Sequence, residues 1–484
     1  MEAKAKKTFY SSYFRQGEVI LPKQNGDIRV VICYPNSYYV GMSNLGLHSL
    51  YGLFNSLENV RCERAFLDTG GRTVESGMSL FQADIVAFSV SFELDYPNIV
   101  KMLIDGGLEP FSKNREDGKP IVIAGGPVCY YNPLPIARFF DLIFVGDAEE
   151  DFSDFALPLL EGKRKGLDEL SAKEGIFIPA EHSFGTPTHE DFLRVPRKVI
   201  KDLDKAFIKT EIYTENTEFG NMGLVEVSRG CPNGCLFCVA SHSYSPYRYR
   251  SLDVLISQFD SILKHRNKIG LVGAAVTDHP QITDICEYIL TKGGKVSPSS
   301  MSVKKMTPRL LSLLSRSDVH SITLAPECAA EALRKRIGKG ATTDDLLFET
   351  IKNAADAGIY SLKLYFMIGV PGESDEDVFE ISQLALRIRK EFRVKLSLGV
   401  SSLVPKPLTP FENVEFAGVK ELNRKLGVIR QGLKGQVNMT AESVRWSYFQ
   451  ALLAKGDTGL SDGIYKIGHE DITSFSDWKK AFRE

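Results

Sequence analysis

Three cysteines, Cys231, Cys235 and Cys238, are separated by three and then two residues in Cys231-Pro232-Asn233-Gly234-Cys235-Leu236-Phe237-Cys238. Thiolates are soft ligands, and they hold iron–sulfur clusters. Three of them bind three irons of a four-iron cluster and leave the fourth open for a substrate or cofactor. Gly230 and Gly234 let the loop fold tightly around an inorganic core. A zinc loop or three unrelated thiols are the competing readings. Zinc would take a fourth Cys or His nearby, and His242 is on offer.

The loop follows the apolar run 222–227, and strand–helix repeats continue after it. Strands are expected at 269–276, 297–303, 321–326, 362–368 and 396–404, the last of them ending in Pro405-Lys406-Pro407. Repeats of this length build a parallel barrel, or part of one, with chemistry at the carboxyl ends of the strands. Arg248 and Arg250 suit a carboxylate or phosphate, or else surface salt bridges.

The C-x3-C-x2-C spacing, with the strand-end segments from about 224 to 412, resembles the radical S-adenosylmethionine (radical SAM) enzymes. The resemblance implies that Cys231, Cys235 and Cys238 hold a [4Fe-4S] cluster whose open iron chelates SAM. One electron from the cluster then releases a 5′-deoxyadenosyl radical. It also implies SAM contacts from Phe237, Gly273, Ser300, Ser302, Glu327 and Ile368. Ile368 opens the Gly369-Val370-Pro371-Gly372 turn expected beside adenine.

In the first half, strands are expected at 28–34, 84–91, 120–124 and 142–145, alternating with helices at 45–57 and 96–105. Near-continuous apolar strands between helices imply a parallel sheet covered on both faces. Ligands of such sheets bind beyond the carboxyl ends of the strands. Asn36, Ser89, Ser91, Glu93, Gly125, Gly126, Gly146 and Asp147 lie there.

The Gly125-Gly126-Pro127 and Gly146-Asp147-Ala148-Glu149-Glu150 strand ends resemble the cobalamin-binding domain that precedes the radical SAM domain in many methylating enzymes. That resemblance implies a Rossmann-like domain with cobalamin contacts from these residues and from Ser37, Tyr39 and Met42. The family's Asp-x-His-x-x-Gly motif is absent from the loop at 34–44. Cobalamin is then bound without a protein His, or the domain is a scaffold. His48 is nearby, but a packed or exposed role suits it better than ligation.

The expected organisation is therefore α/β: a Rossmann-like cobalamin-binding domain (1–180), a connector (181–220), a radical SAM partial TIM-type β/α barrel (221–415) and a small α-rich extension (416–484). The function expected from both resemblances is C-methylation. SAM methylates the corrinoid, a second SAM is cleaved, and methyl passes from cobalt to an unactivated substrate carbon between the domains. A protein or peptide carbon, such as glutamine of methyl-coenzyme M reductase, is the expected acceptor, with a small molecule as the alternative. Tyr38, Tyr39, Tyr96, Tyr130 and Tyr131 line the pocket or the core. Ferredoxin or flavodoxin is the expected reductant.

Two rivals remain. Another radical SAM reaction, such as tRNA methylthiolation, requires three further grouped cysteines, and the other five (Cys33, Cys62, Cys129, Cys286, Cys328) are scattered. A non-catalytic iron–sulfur scaffold or sensor would not need the strand-end motifs. Net charge −2, with 25% charged residues, argues against a nucleic-acid partner. Scattered cysteines, no signal-peptide pattern and no membrane-length apolar run point to the cytoplasm.

Overall fold

The β-branched run Ile-Arg-Val-Val-Ile-Cys-Tyr forms strand β1 (Ile28–Tyr34), whose last five residues are buried. The computed structural model describes residues 14–20, 26–116, 118, 120–162, 164–181, 186–206 and 208–482. These fall into two compact units, one drawn from Met1–Asn221 and Gly456–Glu484, the other from Met222–Lys455.

In the first unit β1 lies inside a six-stranded sheet with β2 (Val60–Phe66), β3 (Ile85–Ser89), β4 (Ile121–Gly125), β5 (Leu142–Phe144) and β6 (Ile176–Phe177). The order is β2-β1-β3-β4-β5-β6; all neighbours are parallel except β5 and β6. Strand order reverses between β1 and β3, so a crevice opens beyond their carboxyl ends. Asn44 caps helix α1 (Leu45–Ser56) by accepting from the Leu47 amide at 3.0 Å. Pro97 occupies the first turn of α2 (Tyr96–Asp105), where its missing N–H costs nothing.

Strand β2 escaped the sequence reading because it carries Arg61, Glu63 and Arg64. Arg64 is nonetheless fully buried, paired with Glu75 at 2.7 Å and with Glu18 at 2.8 Å. Burying that charge is tolerable only because two carboxylates meet it. The expected connector also joins this unit. Ile212–Tyr213 pairs antiparallel with Val19–Ile20, and the Ile200 amide donates to Asp147 at 3.0 Å. Helix α3 (Ser461–His469) packs against α2 so closely that a Cβ on Gly468 would meet the Pro97 carbonyl oxygen at 2.3 Å.

The second unit holds seven parallel strands in chain order. A three-stranded sheet comprises β7 (Gly223–Glu226), β8 (Lys268–Val272) and β9 (Lys295–Pro298). A four-stranded sheet comprises β10 (Ser321–Glu327), β11 (Ser361–Ile368), β12 (Lys395–Ser402) and β13 (Asn438–Ala441). Order and direction are those of the expected β/α barrel, with the hydrogen-bonded ladder interrupted between β9 and β10.

Three expectations are corrected here. β8 ends at Val272, and Val276–Asp278 is a 3-10 turn. β9 spans Lys295–Pro298, closed by its proline, and does not reach residue 303. The last strand is not 396–404 but the short polar β13, which pairs along β12. Among the described residues no helix is long and apolar enough to cross a membrane.

Candidate active site at the carboxyl ends of the second unit

The cysteine loop leaves β7 and is held from both sides. Gly230, at φ +78, lies so close to the Tyr244 carbonyl oxygen that a Cβ would meet it at 2.6 Å. Gly338, at φ +81, backs onto the loop, where a Cβ would sit 2.8 Å from the Gly234 carbonyl oxygen. The Leu236 amide donates to the Ile337 carbonyl at 3.0 Å, and the Phe411 amide donates to the Leu236 carbonyl at 3.2 Å. Glycine is required where another backbone comes this near.

The three cysteines line one cavity of about 470 Å³ inside this unit. Ser297 and Pro298 of β9 form part of the opposite wall, together with Ser321, Thr323, Ala325 and Glu327 of β10. The wall therefore spans the interruption between the two sheets. Among the described residues no three His, Cys, Asp or Glu side chains form a single-ion site. His242, the fourth ligand a zinc reading would need, instead sits 3.0 Å from the Cys235 carbonyl oxygen through Nε2.

Burial pushes the Cys235 thiol up to about 11, with Lys339 opposing the shift. Burial also raises Cys238, which the amides of Ala240 and Ser241 counter. Buried thiols of this kind become ligands when a metal replaces the proton. The other five thiols lie in packed interiors: burial raises Cys33, Cys62, Cys129, Cys286 and Cys328 alike.

Of the expected SAM contacts, Phe237, Ser300, Ser302 and Glu327 line the cavity, whereas Gly273 and Ile368 do not. Gly273 stands behind the wall. A Cβ there would meet Ser228 Oγ at 2.6 Å, and its carbonyl accepts from Ser300 Oγ at 2.9 Å. Ser300 Oγ in turn accepts from the Val276 amide at 2.9 Å, tying the loop after β8 to the loop after β9. Ile368 is fully buried. The turn after it is fixed from outside: Glu373 accepts from the Gly369 amide at 2.8 Å and from Lys425 Nζ at 2.6 Å.

Glu327 is the most constrained wall residue. It follows a register break in the pairing of β10 with β11 and holds φ at +68, a region side chains avoid. Lys339 pairs with its carboxylate at 3.0 Å and donates to the Ala325 carbonyl at 2.6 Å. Burial alone would lower the Lys339 ammonium, but the Glu327 carboxylate beside it holds it above its usual range. Lys339, Asn233 and Asp278 were missed by the sequence reading. Each is a single polar residue with no spacing to betray it; only the closeness of Asn233 to the cysteines was a clue.

The two arginines considered for anion binding are internal. Arg250 is fully buried and pairs with Glu226 at 2.6 Å, which also receives Arg229 at 2.9 Å. Burial alone would raise Glu226, yet the two guanidiniums overcome it and hold the carboxyl below its usual range. Arg248 donates to the Pro246 carbonyl at 3.0 Å.

Matches to known families agree with this geometry. Residues 225–385 match the model described as the radical SAM superfamily, and residues 46–179 match the model of radical SAM proteins, N-terminal. An uncharacterized protein of Methanocaldococcus jannaschii is 30% identical over 441 residues, 89% of each chain. This chain belongs to the radical SAM superfamily.

An uncharacterized methyltransferase of Pyrococcus horikoshii is 26% identical over 53% of this radical SAM chain and 56% of its own. The fold is similar to TsrM, a radical SAM methyltransferase of Kitasatospora setae solved with tryptophan and a SAM analogue. The TM-score is 0.60 at 13% identity, over 94% of this chain and 98% of that one. A second TsrM structure, with cobalamin and a [4Fe-4S] cluster, gives a TM-score of 0.55 at 13% identity over 82% and 75%.

The residues expected to meet cobalamin sit at the carboxyl edge of the first unit's sheet, mostly engaged with their own chain. Asn36 donates to Asp95 at 2.8 Å and accepts from the Ser37 amide, while Ser37 Oγ caps the Val40 amide at 3.4 Å. Ser91 accepts from Asn44 at 3.2 Å, Glu93 accepts from Tyr131 at 2.7 Å, and Asp147 accepts from Tyr130 at 2.6 Å. Ser89 is buried, and the Gly125 carbonyl accepts from the Val90 amide at 2.8 Å. Tyr39 is 42% exposed and donates to Glu218 at 2.8 Å.

Chain packing alone accounts for the absence of a side chain at Gly126 and Gly146. A Cβ on Gly126 would meet the Val90 carbonyl oxygen at 2.7 Å, and one on Gly146 the Lys198 carbonyl oxygen at 2.1 Å. Met42 sulfur accepts from Arg64 at 3.0 Å. His48 is buried, with Nε2 3.1 Å from the Met42 carbonyl oxygen and Nδ1 accepting from the Glu211 and Ile212 amides at 3.3 and 3.4 Å. Both its nitrogens are committed, and burial lowers its pKa to about 4. The edge therefore fits a corrinoid only if neither His48 nor Met42 ligates cobalt.

Proposed function

We propose that this radical SAM enzyme is a methyltransferase that uses a corrinoid carried by the first unit to methylate a carbon atom. The observation that carries the reading is the cavity in which three cysteines face a strained, lysine-held glutamate at the barrel's carboxyl ends. Full-length likeness in fold to a radical SAM methyltransferase, one of whose structures holds cobalamin and a cluster, supports the methyl-transfer half. When bound, the cluster supplies the electron that cleaves SAM, and the corrinoid supplies a transferable methyl group.

In this reading Cys231, Cys235 and Cys238 hold the cluster. Glu327, fixed by Lys339, accepts from the amino group of SAM. Phe237, Ser300 and Ser302 frame the bound molecule, while Gly273 and Ile368 act from behind the wall. The Glu226–Arg229–Arg250 cluster keeps the base of the cysteine loop rigid. In the first unit, Asn36, Ser37, Tyr39, Ser89, Ser91, Glu93 and the backbone at Gly125 offer the corrinoid edge contacts. The peptide acceptor expected from sequence gains no support from the lining residues.

The test is anaerobic reconstitution with iron, sulfide and cobalamin. It reads the corrinoid spectrum after gel filtration, then 5′-deoxyadenosine and S-adenosylhomocysteine after addition of SAM and reductant. Retained corrinoid with both products supports the reading. Deoxyadenosine from a chain that retains no corrinoid overturns the methylation half and keeps the radical half.

A further inference from the structure

We propose that Asn233, inside the cysteine loop, is a positioning residue that sets the reduction potential of the cluster through an N–H···S hydrogen bond to Cys231. The inference rests on the reading of the three cysteines as cluster ligands. Asn233 Nδ2 lies 3.3 Å from Cys231 Sγ and 3.5 Å from Asp278 Oδ2, and all three residues line the cavity.

The orientation of the amide follows from its neighbours. The Asn233 atom facing both Asp278 Oδ2 and Cys231 Sγ is assigned as the amide nitrogen, since both neighbours can accept from it. An amide nitrogen carries two protons. The same nitrogen can therefore serve both the sulfur at 3.3 Å and the carboxylate at 3.5 Å. Asp278 is 9% exposed and sits in the 3-10 turn Val276–Asp278, just beyond β8. The loop after one strand thus aims a side chain of another loop at a cluster ligand.

The consequence is electrostatic. Reduction adds an electron to a cluster whose charge is shared with its thiolate sulfurs. A donor pointed at one of them stabilises the more negative state, so hydrogen bonds to sulfur raise the potential. Neither Pro232 nor Gly234 has a side-chain donor to replace it. Cys231 is the first of the three in sequence, just after the short strand Ser228–Arg229.

The experiment uses the full chain, reconstituted anaerobically and titrated with a reductant while the reduced cluster is followed by electron paramagnetic resonance. Asn233→Leu keeps the volume and removes both donors. At the wild-type midpoint its reduced-to-oxidised ratio should fall about tenfold, a shift of about 59 mV for one electron, with iron content unchanged. Asn233→Gln, which restores the amide, should recover most of the shift. If Asn233→Leu fails to take up a cluster, Asn233→Asp supplies a similar shape with an acceptor in place of the donor, and its midpoint should fall at least as far. A loaded Leu or Asp variant with the wild-type midpoint overturns the inference alone. A wild-type chain that takes up no cluster overturns the site reading as well.

Discussion

Glu327 offers the sharpest perturbation, because its backbone and its side chain pull in opposite directions. At φ +68 the left-handed conformation costs a non-glycine residue about 1–2 kcal/mol. The carboxylate returns part of that through Lys339 at 3.0 Å, with side-chain exposures of 20% for Lys339 and 15% for Glu327. Glu327→Ala loses the ion pair and keeps the strain. Glu327→Gly loses the ion pair and sheds the strain. The glycine variant should therefore be the more stable of the two by about 1 kcal/mol, the reverse of their usual order inside a strand. For a unit of this size that is roughly 2–4 °C in the midpoint of thermal unfolding. Both variants should lose the same charge-assisted contact to SAM, worth about 1.5–3 kcal/mol, or roughly 10–100-fold in Kd. Differential scanning calorimetry and equilibrium dialysis on the anaerobic, cluster-loaded protein read the two effects separately. An alanine variant as stable as the glycine variant would refute the strain argument. Unchanged SAM affinity in both would remove Glu327 from the site.

Other consequences are as direct. Cys235→Ala should abolish deoxyadenosine formation yet leave corrinoid retention by the first unit intact, read by product chromatography and by the bound-corrinoid spectrum. Arg64→Met removes the buried guanidinium that meets both Glu18 and Glu75 and should cost about 3–5 kcal/mol in chemical denaturation at pH 7. Gly146→Ala drives a Cβ into the Lys198 carbonyl oxygen, 2.1 Å away, and should expose the 196–200 segment to proteolysis. Burial, reinforced by Glu93, raises the Asp95 carboxyl to about 7. Its unfolded counterpart ionises near about 4. Between those values the folded state holds the extra proton, so stability falls as pH rises from about 4 to about 7 and is level above. Asp95→Asn should remove that dependence, leaving a variant more stable than wild type at pH 8 and equal to it near pH 4.

The parts legible in the sequence were those encoded locally. The cysteine spacing lies within eight residues, and strands such as β1 and β11 are runs of apolar residues bounded by turn formers. Strand β2 was hidden because Arg64 finds its counter-charges at Glu18 and Glu75, far from it in the chain. β13 was hidden because Asn-Met-Thr-Ala is short, polar and half exposed. In the site, Ser300, Ser302 and Glu327 were singled out by their place after strands and Phe237 by its place in the cysteine loop, as the family resemblance implies, and all four line the cavity. Lys339 and Asp278 reach the cavity only through the folding of the Gly338 loop and the turn after β8, which no local pattern announces. The glycines at 126 and 146 were read toward a ligand; the close approach of the Val90 and Lys198 carbonyls also requires them, a packing reason that no local pattern announces.

The account rests on three thiols holding a cluster that reacts with SAM. The direct measurement is iron, sulfide and zinc content of the anaerobically reconstituted chain, followed by 5′-deoxyadenosine released with SAM and a one-electron reductant. Four irons per chain, with deoxyadenosine that disappears in Cys235→Ala, is the expected result. Zinc in place of iron, or an iron cluster whose reduction releases no deoxyadenosine from SAM, would contradict it.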